Sequence, residues 1–120
     1  MKKQPKNDLK QLTALVRRFR DDRDWAQFHN PKDLALTLVL ESAEVLEHMQ
    51  WRNGRELKAH LKTRQRDVAH ELADVLHLVL LLAEKLKVDL GKAFVEKMKL
   101  NAAKYPVHKA RGSARKYTEL

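Results

Sequence analysis

The chain contains no cysteine, which excludes a disulfide framework and any thiolate metal site. Glycine and proline are scarce, with 3 of each among 120 residues. A chain so poor in turn-formers and rich in Leu, Ala, Lys and Glu favours an all-α domain. No long hydrophobic run is present. The longest, Val75 to Ala83, is interrupted by His77 and falls far short of the ~20 residues that cross a bilayer. Met1 to Lys10 is polar and lacks the apolar centre of a signal peptide. A soluble, cytoplasmic protein without a membrane partner is the expectation.

Apolar residues make up 43% of the chain and charged residues 34%. At 120 residues, that is enough for one domain with one modest core. We expect a single domain over residues 1–120, with an irregular basic arm from about Val107 to Leu120. The formal charge of +9 raises the question of nucleic acid. The basic residues, however, gather in a connection (Arg52, Arg55, Lys58, Lys62, Arg64, Arg66) and in the tail (Lys104, Lys109, Arg111, Arg115, Lys116). Such a dispersed basic rim suits any polyanion, including a small triphosphate.

Four helices are predicted. The first runs from a cap at Asn7 or Asp8 to Asp24, with Leu9, Leu12, Val16 and Phe19 at helical spacing. The second opens on Asn30-Pro31 with Asp33 in its first turn and runs to about Gln50, before Asn53-Gly54. Arg52 to Arg66 is polar and reads as a connection with at most a helical turn. The third helix, Arg66 to Lys87, is apolar nearly all round, as expected of a central helix or one packed on a second subunit. The fourth starts at a cap near Asp89, carries Leu90, Ala93, Phe94 and Met98, and ends at Tyr105-Pro106.

The second and third helices carry acids where a core helix should be oily. Glu41 and Glu44 are three apart and share a face; Glu71 and Asp74 repeat that spacing. A single Glu-x-x-Glu is common on a solvated helix, but two such pairs within apolar patterns are not. If the two helices pack antiparallel, four carboxylates converge, and they cannot all stay ionised in a dry site without compensation. A hard divalent cation, Mg²⁺ or Mn²⁺, supplies it, and Mg²⁺ typically bridges to substrate phosphates. Glu47 lies on the same helix, turned away from the pair. His48 and His77 bring a di-iron site to mind, but neither has a glutamate three residues earlier, although Asp74 precedes His77 by three.

Lys97 and Asn101, four apart near the inward face of the fourth helix, pair a cation with an amide in a way that suits outer phosphates. A lysine snorkelling past the core edge is the plainer reading. Trp25, Phe28 and Trp51 flank the second helix and either cap the core or stack on a nucleobase.

"LESAEVLEHMQWR", "HELADVLHLVLLLA" and "KMKLNAAKYP" together resemble the MazG-like all-α nucleoside triphosphate pyrophosphohydrolases, and within them the short dCTP pyrophosphatase branch. The resemblance spans "RDWAQFHNPKDLALTL" through the final "RGSARKYTEL". It implies a four-helix bundle assembled as a homodimer or a dimer of dimers, with active sites at subunit contacts. It also implies Mg²⁺-dependent hydrolysis of a (deoxy)nucleoside triphosphate to the monophosphate and pyrophosphate. By this resemblance Glu41, Glu44, Glu71 and Asp74 match the metal-binding carboxylates; the mechanism we expect is metal-assisted attack of water, with Glu41 or Glu44 orienting or deprotonating it. Lys97 and Asn101 match phosphate contacts, and Trp25, His29 and Trp51 match the aromatic end of the nucleotide pocket. Tyr105, Arg111, Lys116 and Tyr117 match the tail. This chain departs from the animal dCTP enzymes at Val16, where they have histidine, and at Leu78, where they have tyrosine. A strict dCTP preference therefore does not carry over. The rival readings are a non-catalytic basic module that binds nucleic acid and a bundle that only stores or senses a metal. The first gives no reason for acids within the oily helices, and the second predicts metal binding without pyrophosphate release.

Overall fold

The computed structural model describes residues 8–120, and no strand occurs among them. Asn7, one of the two candidate caps, lies outside the described residues. Asp8 takes the role, its side chain accepting the Gln11 backbone N–H at 2.9 Å. The helices are α1 (Leu9–Asp22), α2 (Pro31–Glu47), α3 (Gly54–Thr63), α4 (Gln65–Lys85), α5 (Leu90–Lys104) and α6 (Val107–Ala110). Short 3-10 turns occupy Ala26–Phe28 and Tyr117–Glu119. The fold class is all-α, as expected, but the helix count is higher.

The expected starts are present. Asn30 accepts the Asp33 N–H at 2.8 Å with Pro31 in the first turn, and Asp89 accepts the Lys92 N–H at 3.1 Å. The correction lies in the segment read as a connection, which is the ten-residue helix α3. Its polar surface hides a short stripe: Leu57 and Leu61, four apart, are half-buried while most of their neighbours are exposed. Glu56 in the first turn and Lys62 in the last complement the helix dipole. Packing against α4 stabilises a helix that would be too short to persist alone. In the tail, Val107–Ala110 forms a helical turn where irregular chain was expected.

The chain divides into two compact units, one ending at Lys87 and one spanning Val88–Leu120. In the first, α4 is central and packs against α1, α2 and α3, most extensively against α2. Leu34, Leu78 and Leu81 are buried together, with Val16, Leu38 and Leu82 packed around them. Burying each of these leucines contributes about 2 kcal/mol. Glu84 of α4 ties down α1 through ion pairs with Arg17 and Arg20. One face of α2 stays open: Leu36, Val39 and Leu40 are 56%, 66% and 66% exposed. In the second unit, Tyr105 packs edge-on against Tyr117, with ring centres 5.9 Å apart, and the Lys104 ammonium sits 5.0 Å from the Tyr117 ring centre. Among the described residues, no helix is long and apolar enough to cross a membrane.

Candidate metal centre

The contacts between α2 and α4 run in opposite order along the two helices. Leu34, early in α2, meets Leu78 and Leu81, late in α4. His48, just past the end of α2, meets Glu71, early in α4. The helices are therefore antiparallel, and between those two contacts the acid pairs face each other. Glu41, Glu44, Glu71 and Asp74 each bring one carboxylate oxygen within 4.8 Å of the others. The three glutamates are half-buried and Asp74 is exposed.

This crowding is visible in the acidities. The Glu41 carboxyl is pushed above its ordinary value first by desolvation, then by hydrogen bonding and charge from Glu44, with Asp74 and Glu71 adding to it. The Glu71 carboxyl is also raised, first by its hydrogen bond with Glu44, then by desolvation and by the charges of Glu44 and Asp74, against a lowering by His48. Glu44 is thus the hub of the repulsion. Oε2 of Glu41 and Oε2 of Glu71 are buried without any hydrogen-bond partner. Unpartnered carboxylate oxygens among further carboxylates form a hard-oxygen donor set. The residues present fit a divalent cation, which would supply both the missing partners and the missing positive charge.

Neither histidine considered for a di-iron site belongs to the carboxylate group. His77 packs edge-on against Phe19, centroids 5.7 Å apart. His48 stands behind the group, its Nε2 3.9 Å from Glu71 Oε1 and its Nδ1 3.2 Å from Nε2 of His60 on α3. A cavity of about 380 Å³ opens here, with Glu44, Glu47, Asp67 and Glu71 among its acidic lining and Arg52 and Arg64 among its basic lining. Glu47, turned away from the acid pair, therefore lines this side basin. His60 was invisible to sequence reasoning because α3 was; the Leu57/Leu61 spacing is the signal that would have revealed it.

The aromatic candidates divide. Trp25 packs edge-on against Phe19 at 5.7 Å. His29 is half-buried, and its Nδ1 has no hydrogen-bond partner. Burial first, then the charges of Arg20, His77 and Lys85, push the His29 imidazole below its ordinary value. Trp51 caps no core. It is 88% exposed, and its backbone lies in the left-handed region at φ 65°, a costly conformation for a bulky side chain. Val16 and Leu78 both belong to the apolar cluster around Leu34 and Leu81. In the second unit, Lys97 is exposed, Asn101 is half-buried, and the Asn101 carbonyl accepts the Tyr105 N–H at 2.9 Å.

A family model described as the MazG-like family matches residues 36–120, crossing both units. The chain is 42% identical over 118 residues to the dCTP pyrophosphatase 1 of Homo sapiens, covering 97% of this chain and 69% of that protein. It is 41% identical to the dCTP pyrophosphatase 1 of Rattus norvegicus over the same shares. Among solved structures, a pyrophosphatase from Archaeoglobus fulgidus superimposes with a TM-score of 0.77 at 34% identity, covering 88% of this chain and 99% of that one.

Proposed function

The chain belongs to the MazG-like family, and we propose on that premise that it is a nucleoside triphosphate pyrophosphohydrolase. It is a hydrolase of phosphorus anhydrides, releasing pyrophosphate from a (deoxy)nucleoside triphosphate and leaving the monophosphate. dCTP and related deoxynucleotides are the expected substrates, and clearing them from the nucleotide pool is the expected role. The observation that supports this most is the convergence of Glu41, Glu44, Glu71 and Asp74. When bound there, Mg²⁺, or Mn²⁺ in its place, supplies charge neutralisation to the phosphates and lowers the pKa of water.

The residues of the chain do the rest. Glu41 and Glu44 orient the attacking water, and one of their carboxylates takes its proton. Lys97, a point charge, and Asn101 contact the phosphates. Trp25, His29 and Trp51 receive the nucleoside end, with Tyr105 as a further substrate contact. The exposure of Trp51 on a strained turn supports a contact outside its own core. The cytoplasm, where nucleoside triphosphates are abundant, is the compartment that fits this chemistry.

The test is pyrophosphate release from a panel of dNTPs, NTPs and 5-modified dCTPs, with Mg²⁺ and with chelator. One pyrophosphate per monophosphate, abolished by chelator, is the expected result, and the ranking of substrates reads the preference of the nucleoside end of the pocket. Release from no member, together with salt-sensitive duplex binding, would replace this reading with a nucleic-acid module.

The open apolar face of α2, with Leu36, Val39 and Leu40 exposed, supports a homodimer or dimer of dimers, because a patch of this kind is unfavourable in water. Light scattering is expected to report twice or four times the chain mass. Val39→Asp is expected to lower that mass, whereas a monomeric wild-type chain would remove the assembly from the proposal.

A further inference from the structure

The polar chain that leads away from the carboxylates through His48 to His60 has no role in the mechanism above. His48 Nδ1 and His60 Nε2 lie 3.2 Å apart, a hydrogen-bond distance. On the opposite side of the same ring, His48 Nε2 faces Oε1 of Glu71 at 3.9 Å, long for a direct bond but within reach of one bridging water. The other oxygen of Glu71, Oε2, is the buried one without a partner. Glu71 is therefore oriented, with one oxygen toward His48 and one left free.

Two neutral arrangements of the histidine pair are possible. If His48 donated from Nδ1, its Nε2 lone pair would face a carboxylate oxygen, which is repulsive. If His60 donates from Nε2–H, His48 Nδ1 accepts and His48 Nε2–H points at Glu71. Only the second suits both neighbours. The Arg52 guanidinium anchors the main chain of His48, donating to its carbonyl at 3.1 Å just past the end of α2. Desolvation first, and after it the guanidinium charges of Arg52 and Arg64, hold the His60 imidazole below its ordinary value.

We infer that His48 is a positioning residue for Glu71, presenting an N–H to its Oε1 so that Oε2 faces the cation, and that His60 sets the His48 tautomer that makes this possible. The inference rests on the proposed metal site. Carboxylate and histidine supports behind a ligand commonly change metal affinity by about 10–100-fold, and the side basin lined by these two histidines is where that support is built.

The experiment is Mn²⁺ titration followed by electron paramagnetic resonance, with circular dichroism and melting curves as controls for folding. His48→Ala is expected to weaken Mn²⁺ binding by about 10–100-fold, and His60→Ala by about 10-fold. Glutamine at position 48 offers an N–H where Nε2 stood and has no tautomer to set. His48→Gln is therefore expected to recover most of the affinity lost in His48→Ala. Adding His60→Ala to His48→Gln is expected to cost nothing further. A His60→Ala loss that is the same in both backgrounds would overturn the tautomer role. Wild-type affinity in a folded His48→Ala would overturn the positioning role altogether. Absence of Mn²⁺ binding in the wild-type chain is a different result: it would remove the metal site, and this inference with it.

Discussion

Glu44→Gln is expected to lower kcat by at least about a thousandfold, the scale on which a general base or an activating cation contributes. The metal-free fold is expected to be unharmed. Glutamine matches glutamate in shape and can still hydrogen-bond, but it carries no charge. Glu44 helps to raise the pKa of both Glu41 and Glu71, so its neutralisation relieves repulsion within the half-buried group. The melting temperature in chelator should be unchanged or higher, with the far-UV circular dichroism of the wild type. Asp74→Asn should behave alike, more mildly in its thermal effect because Asp74 is exposed. Loss of activity with a gain in stability is the signature of a functional cluster. A purely structural ion network would lose stability when one of its members is neutralised. If either variant retains near-normal kcat with Mg²⁺, the metal-site assignment fails.

The second large effect is a cation-dependent stability that grows with pH. Glu41 and Glu71 have folded-state values raised above the ordinary 4.5. The stability linked to them is fully present below pH 4.5 and is lost as pH rises through the raised values. His29 and His60 act in the opposite sense. Their values lie below the ordinary 6.5, so their contribution is present above pH 6.5 and is lost as pH falls through the lowered values. The two sets oppose each other between acid and neutral pH, and a plain stability profile would blur them.

The difference between melting temperatures with Mn²⁺ and with chelator isolates the carboxylates, because the cation binds their deprotonated form. That difference is expected to be near zero at pH 4.5, where protons compete best, and to rise steadily toward neutrality. In Glu44→Gln it should be smaller at every pH. A cation effect as large in acid as at neutral pH would place the cation elsewhere on the molecule.

Much of the local structure was legible in the residues themselves. Asp8, Asn30 and Asp89 each accept a backbone N–H three residues on, and Tyr105-Pro106 ends α5. Capping and chain termination depend on groups a few residues apart, so sequence is sufficient for them. The same holds for the two acid pairs: a three-residue spacing puts Glu41 beside Glu44 and Glu71 beside Asp74 in any α-helix. The chain alone also excluded thiolate chemistry and restricted a metal site to oxygen and imidazole donors.

Tertiary structure decided what those pairs meet. Convergence within 4.8 Å requires α2 and α4 to run antiparallel in one register, and that register follows from Leu34 burying itself against Leu78 and Leu81. Helix α3 is another such case. Its stripe of Leu57 and Leu61 is too short to support a helix in water, and it forms because α4 provides an apolar surface to cover. With α3 in place, His60 arrives 3.2 Å from His48, a contact across twelve residues that no periodicity encodes. Trp51 makes the same point in reverse: its bulk suggested core capping, and packing left it exposed on a left-handed turn. Spacing along one helix is fixed by covalent geometry, whereas the faces that meet are chosen by which arrangement buries the most apolar surface.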